Sequence, residues 1–162
     1  MTIRRGVATA AALAFFVAPA QAARSRTVLF TKGYNLCRAA TLKAVRAAGG
    51  QPYRAGIFAN SVCTWDRADL QAGAVLSTHP SDAGASLMRN FLAQNGQHGI
   101  KAKRIAVPGA TRAVLVTLPS QPGQSTKDLL AAYPQGTIQV NVTAPGALAQ
   151  ERIVALLRLF AR

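Results

Sequence analysis

The chain contains few of the side chains from which enzyme active sites are usually built. Its 162 residues include two cysteines, two histidines and five acidic residues. General acid–base hydrolysis needs two carboxylates, or a carboxylate and a histidine, held close together. The sequence also lacks a Gly-x-Ser-x-Gly elbow, a phosphate-binding loop and a dinucleotide-binding fingerprint. These absences disfavour an enzyme and favour a protein that acts by binding.

The nearest approach to a catalytic set is Ser77, His79 and Asp82. Residues so close in sequence, at a predicted junction between a strand and a helix, rarely adopt the geometry of a catalytic triad. Asp82 and Asp128 instead fit the first turns of two predicted helices, where a carboxylate faces the positive end of the helix dipole. We therefore predict no catalytic residue, no metal site and no cofactor.

Only one long apolar run occurs, and it lies at the very start of the sequence. A basic start precedes an uncharged run from Val7 to Ala18, and Pro19 and the small-residue segment 20–22 follow. This order is that of a secretory signal peptide, and about twelve apolar residues are too few to span a bilayer as a helix. A retained membrane anchor or a buried core helix is the alternative. We predict a signal peptide over residues 1–22, cleavage after Ala22, a secreted or extracytoplasmic location, and one domain without a transmembrane segment over residues 23–162.

The two cysteines, Cys37 and Cys63, allow one intramolecular bridge. They lie 26 positions apart, and the histidines are elsewhere, so the set matches no compact zinc spacing. The choice is therefore between a structural disulfide and free or redox-active thiols. The predicted export favours the disulfide, because disulfides persist in oxidising compartments. Trp65 follows Cys63 by two positions, so the period of a strand places both side chains on one face, which we expect to be the core side.

Acidic residues are scarce, and basic residues are in large excess. Without residues 1–22 the chain has 17 lysines and arginines against five acids, a net charge of +12. Such an excess attracts nucleic acid, teichoic acid or an anionic lipid surface, or it merely keeps the protein solvated. The basic residues are scattered and few aromatics lie among them, which disfavours a dedicated reader of single-stranded nucleic acid.

Periodicity and turn signals predict helices and strands in mixed order. Helices are expected over residues 34–48, 81–95, 125–133 and 148–160, the third opened by a capping-box spacing at Ser125–Asp128. Strands are expected over residues 27–30, 55–59, 62–66, 72–78, 100–107, 112–118 and 136–143. This order predicts an α+β fold, in which an antiparallel sheet has helices packed on one or both faces.

The last predicted strand alternates between apolar and polar side chains. Ile138, Val140 and Val142 point one way, and Gln139, Asn141 and Thr143 point the other way. A strand with one wet face is typical of an antiparallel sheet that is open on one side. We predict that the three polar side chains line a ligand site, with the only tryptophan, Trp65, as a further candidate.

Loosely spaced motifs extend over most of residues 34–162. They are Cys37 at the start of a Leu/Ala-rich helix that ends at Gly49, the Cys63-x-Trp65 strand, Pro108-Gly109-Ala110, Gly136, Val140 and Leu148-Ala149. Together they resemble small exported or lipoprotein-like actinobacterial domains, many of which are sensor-like or have no assigned function. The resemblance implies a PsbP-like sandwich that binds an envelope protein, a lipid or a small ligand, and it brings no shared catalytic residues. The chain lacks the lipobox cysteine of the lipid-anchored members.

These observations predict an exported binding or sensor-type domain of the cell envelope that is not an enzyme. A basic protein that binds polyanions is the alternative.

Overall fold

The fold is α+β, built on one antiparallel sheet with helices on both faces. The computed structural model describes residues 28–67 and 72–161. Its seven strands are β1 (Ile57–Ala59), β2 (Val62–Asp66), β3 (Gly73–Pro80), β4 (Lys103–Arg104), β5 (Arg112–Leu118), β6 (Gln124–Tyr133) and β7 (Gly136–Pro145). The helices are α1 (Leu42–Gly49), α2 (Ser81–Gln97) and α3 (Gln150–Phe160), and a 3-10 turn spans Leu36–Arg38. The predicted fold class is confirmed.

The strands lie in the order β1-β2-β3-β7-β6-β5-β4, and every pair of neighbours is antiparallel. The last hairpin, β6–β7, thus occupies the centre, while β1 and β4 are short edge strands. The β1–β2 hairpin turns through Asn60 and Ser61, which both have positive φ angles of 50° and 62°. That is the conformation of a two-residue turn that matches the twist of a hairpin.

One side of the sheet, which we call the core face, is covered by α1 and α3. Strand residues such as Leu76, Leu129 and Val140 are buried there against Ile153 and Leu157 of α3. Within α3 the buried side chains recur at helical spacing: Ile153, Val154, Leu156, Leu157 and Phe160. Most of the apolar surface that stabilises the fold is buried on this side.

A disulfide joins Cys37 in the 3-10 turn to Cys63 on β2, with the two Cα atoms 5.3 Å apart. Asn35 caps the turn, because its side chain accepts a hydrogen bond of 3.0 Å from the Cys37 backbone N–H. Trp65 is also on the core face, 2% exposed, with its ring centroid 5.6 Å from that of Phe160. The predicted disulfide and the shared face of Cys63 and Trp65 are confirmed.

Gly56 allows the backbone to pass close to this cluster. A Cβ atom at Gly56 would lie 2.6 Å from Trp65 Nε1 and within 2.8 Å of both bridged sulfur atoms. Only glycine fits here without displacing a packed group, which is one structural use of glycine in a strand-like segment.

The disulfide indicates the kind of cellular compartment in which the protein is found. An intramolecular bridge is typical of an oxidising, extracytoplasmic environment. Among the residues that the structure describes, no helix has the length and apolar character needed to cross a membrane. The predicted signal peptide, residues 1–22, lies outside the described residues.

The helix predicted over residues 125–133 is wrong. These residues belong to β6, a ten-residue strand paired along its length with β7 and, from Thr126 to Ala132, with β5. Leucine, alanine and lysine favour a helix, but pairing on both edges of a central strand satisfies the backbone equally well and buries Leu129 to Ala131 from both sides. The tertiary context therefore overrides the local propensity.

Three smaller boundary predictions also need correction. Val28 and Leu29 are helical, whereas a strand over residues 27–30 is predicted, and Thr27 lies outside the described residues. The helix predicted over residues 34–48 is divided, because Thr41 caps the start of α1 by accepting from the Ala44 backbone N–H. The strand predicted over residues 100–107 is reduced to Lys103–Arg104.

Removing the disulfide should lower the stability of the domain substantially. The bridge closes a loop over a sequence separation of 26, for which the loss of chain entropy in the unfolded state gives about 3–4 kcal/mol. We expect the double variant Cys37→Ala/Cys63→Ala and the reduced wild-type protein to lose similar amounts in urea denaturation. The reduced protein keeps both sulfur atoms and so controls for lost packing. Coincident unfolding curves for the oxidised and reduced proteins would contradict the prediction.

Candidate ligand-binding face

On the side of the sheet opposite the core face, α2 covers one part and leaves the other part open. Met88 and Phe91 of α2 pack on Val114, Val116 and Leu130, which together form a second apolar cluster. The remaining side chains on this side are mostly polar and are only half-buried. We call this region the polar face; it consists of Thr64, Val75, Ser77, Thr126, Gln139, Asn141 and Thr143.

The register of the strands places the three predicted ligand residues of β7 within the polar face. Asn141 lies between Val75 of β3 and Asp128 of β6, and Thr143 lies opposite Thr126. The Thr126 and Thr143 hydroxyl groups are hydrogen bonded at 3.0 Å. The structure thus brings Gln139, Asn141 and Thr143 together as neighbours on one face.

Trp65 is not part of this group. Successive residues of β2 alternate between faces, so Thr64 and Asp66 share the polar side while Trp65 points to the core. Its ring packs against Phe160 and the disulfide, away from solvent. The structure therefore separates Trp65 from the other three candidates, and its surroundings are those of a core residue.

Asp128 is the functional candidate that sequence reasoning missed. It lies in the middle of β6, opposite Asn141 and Val116, and is 6% exposed. Gln139 Nε2 donates a hydrogen bond of 2.8 Å to its Oδ2 atom. Its Oδ1 atom accepts no hydrogen bond from any residue that the structure describes. The interpretation of Asp128 as a helix-start residue is wrong, because no helix begins there.

Burial raises the pKa of Asp128 to about 6. Removal from water disfavours the charged carboxylate, while polar contacts with Gln139 and Asn141 lower the pKa and offset part of that effect. Two positions along the strand, Leu130 is fully buried beneath α2. Asp128 therefore lies at the border between the apolar cluster and the polar face, where an incompletely paired carboxylate is costly to the fold.

Two residues of the possible catalytic set, Ser77 and His79, lie in the described part of the chain. Ser77 and His79 lie on the polar side of β3, in register with Gln139 and Thr137. Burial lowers the pKa of His79, so the neutral imidazole is favoured. The side chain of Asp82 lies outside what the structure describes.

The described residues provide no thiolate and no metal centre. Both cysteines are bridged. Within residues 28–67 and 72–161, no three histidine, cysteine, aspartate or glutamate side chains are grouped so that they could hold a metal ion. On this side of the sheet the described residues offer amides, hydroxyls, the imidazole of His79 and the carboxylates of Asp66 and Asp128.

Comparisons with known proteins identify no family for this chain. No protein-family model matches the sequence, and no curated protein matches it. The side chains of the polar face are therefore the basis on which function is inferred.

Replacing Asp128 by asparagine should change how stability depends on pH. The pKa of Asp128 is about 6 in the folded protein against an ordinary value of 3.8, so the folded protein holds the proton more tightly. The resulting stabilisation is complete below pH 4 and is lost as the pH rises through about 6. Relative to wild type, Asp128→Asn should gain up to about 3 kcal/mol between pH 4 and pH 7, at about 1.4 kcal/mol per pKa unit.

Urea denaturation at half-unit pH steps measures this difference. The matched control is Glu151→Gln, which removes the same charge from an exposed position on α3. A stability difference between Asp128→Asn and wild type that stays constant from pH 4 to pH 7 would show that Asp128 titrates as a solvated group.

Proposed function

We propose that this chain is an exported, non-catalytic binding domain of the cell envelope, with a PsbP-like sandwich fold, that holds its ligand against the polar face. The observation that carries the proposal is the buried, incompletely paired carboxylate of Asp128. A side chain that lowers stability at neutral pH is commonly retained because it has a function. Groups with strongly shifted pKa values also cluster at functional sites. The disulfide and the predicted signal peptide support a place outside the cytoplasm.

The chemistry of the polar face favours a ligand rich in hydrogen-bond donors. The amides of Gln139 and Asn141 and the hydroxyls of Thr126 and Thr143 can both donate and accept. The ionised Asp128 carboxylate only accepts, and it repels anions. A neutral or positively charged ligand with hydroxyl, amide or ammonium groups, such as an envelope glycan or peptide, matches this surface best.

Identifying the ligand that co-purifies with the secreted protein, and measuring its binding to variants, tests whether the polar face is the binding surface. Material bound to wild type would be identified and quantified by mass spectrometry, and then measured on Asn141→Ala and Asp128→Asn. Losing a hydrogen bond to a charged or buried partner costs about 1.5–3 kcal/mol, so occupancy at limiting ligand should fall about tenfold or more.

Asn90→Ala is the control, because Asn90 is an exposed amide on α2, outside the polar face. It should retain the ligand as wild type does. Equal occupancy in all four proteins, with folding verified by circular dichroism, would place the binding surface elsewhere.

The second candidate function is binding of a polyanion, and the surface at the β4–β5 edge favours it. Arg104 and Arg112 are exposed and share one side of the sheet there, in a chain of high positive charge. Salt dependence separates the two functions. A polyanion held by about six phosphate contacts loses about 10³-fold in affinity between 50 and 200 mM salt. A donor-rich ligand on the polar face should change less than about threefold.

A further inference from the structure

A cavity of about 440 Å³ lies between the first half of α2 and one end of the β5–β6 pair. We call it the arginine pocket; its lining includes Gly84, Met88, Arg89, Thr111, Arg112 and Thr137. Its volume is within the range of sites that hold small molecules, about 300–1,000 Å³. Neither the polar face nor the predicted ligand residues contribute to it.

On the α2 side of the sheet, the buried lining carries one hydroxyl group, that of Thr137. Tyr133 also lines the cavity, but it belongs to the core cluster on the other face. Thr137 is 0% exposed, and its Oγ1 atom has no hydrogen-bond partner among the described residues. The hydroxyl lies beneath the backbone of Gly84, where a methyl group would overlap it. Met88 is buried beside it. A buried hydroxyl without a partner is unfavourable, and a ligand that accepts its hydrogen bond would remove the cost.

The exposed part of the lining is cationic. Arg89 and Arg112 are both exposed, and Arg89 donates to the Ser86 hydroxyl at 3.0 Å. The Thr111 hydroxyl donates to the Ala132 carbonyl, so its oxygen can accept but its proton is already used. No carboxylate is among the described residues of the lining. Guanidinium groups are well suited to carboxylate and phosphate, which they bind through paired hydrogen bonds.

The arginine pocket is separate from the carboxylate of Asp128. Thr137, Ala132 and Arg112 form one row across β7, β6 and β5, and Asp128 lies four residues away from Ala132 along β6. At about 3.4 Å per residue this is about 14 Å. The Asp128 carboxylate is therefore too far away to contact an anion in the pocket.

We propose that the arginine pocket is a second binding site, which takes a small organic anion: a carboxylate or phosphate group on a short apolar body. Arg89 and Arg112 bind the charged group, Thr137 donates a hydrogen bond to it, and Met88 and Ala132 contact the apolar part. A small ligand is favoured over a long polyanion because Thr137 lines the cavity but is 0% exposed, so only a group that enters the cavity can approach it. This site goes beyond the proposed function, since its ligand is opposite in charge to one that Asp128 attracts.

Isothermal titration calorimetry at 150 mM salt tests the site with five probes: butyrate, butyl phosphate, inorganic phosphate, neutral butanol and long-chain polyphosphate. The protein variants are Arg112→Gln and Thr137→Val, with Arg158→Gln as the matched control. Arg158 is an exposed arginine on α3, so its replacement changes the net charge equally. Thr137→Val keeps the shape of the side chain and removes only the unpaired hydroxyl, so it should fold at least as stably as wild type.

We expect butyrate or butyl phosphate to bind, butanol not to bind, and inorganic phosphate to bind more weakly than butyl phosphate. The tighter of the first two probes identifies the charged group. Arg112→Gln and Thr137→Val should each weaken that probe tenfold or more, and Arg158→Gln less than twofold.

Three results would overturn the proposal. The first is that neither organic anion binds at 10 mM. The second is that Arg158→Gln weakens binding as much as Arg112→Gln does. The third is that polyphosphate binds more tightly than the small anions and Thr137→Val leaves its affinity unchanged, which would assign the arginines to a polyanion surface.

Discussion

The alternation of side chains along β7 is the constraint on which the rest of the structure depends. Val140 and Val142 enter the core beneath α3, and Gln139 and Asn141 face the other way. Because β7 is paired on both edges, by β3 and by β6, its register fixes which residues of those strands share each face. A slip of one residue would exchange the apolar and polar sets, so the core stabilises the candidate site as well as the fold.

The two faces of the sheet differ in composition. On the core face, the disulfide, Trp65 and Gly56 form a close-packed cluster in which both cysteines are bridged. On the other face, α2 covers only part of the sheet and leaves polar groups that a core would exclude. Asp128 lies where the part of the sheet covered by α2 meets the polar face. It is buried like the residues beneath α2, and it is hydrogen bonded to Gln139 of the polar face. The scarce cysteines and tryptophan therefore relate to stability and compartment, whereas common polar residues carry the proposed binding.

Strongly patterned segments could be predicted from the sequence, and segments decided by long-range pairing could not. The strands Val62–Asp66 and Arg112–Leu118 match their predicted bounds, because β-branched residues and flanking turn signals agree there. The sequence predicts a helix over the residues of β6 because Ser125–Asp128 has the spacing of a capping box. The apolar residues that follow, Leu129 to Ala131, do not correct this, because an unbroken apolar run fits a buried helix and a central strand equally well. That error also concealed Asp128, since a carboxylate near a serine and a threonine resembles a helix cap. The partners on β7 were predicted on the correct face, but only the register of β6 shows that Asp128 lies opposite Asn141.

The proposed site depends on Asp128 being buried and incompletely paired at the border of the polar face. The most direct test is a carboxyl ¹³C NMR titration of Asp128 in the folded, oxidised protein. We expect a midpoint near pH 6, because burial outweighs the contacts from Gln139 and Asn141. A midpoint near pH 4 would contradict it, because the carboxylate would then be solvated and the polar face would be an ordinary wet surface.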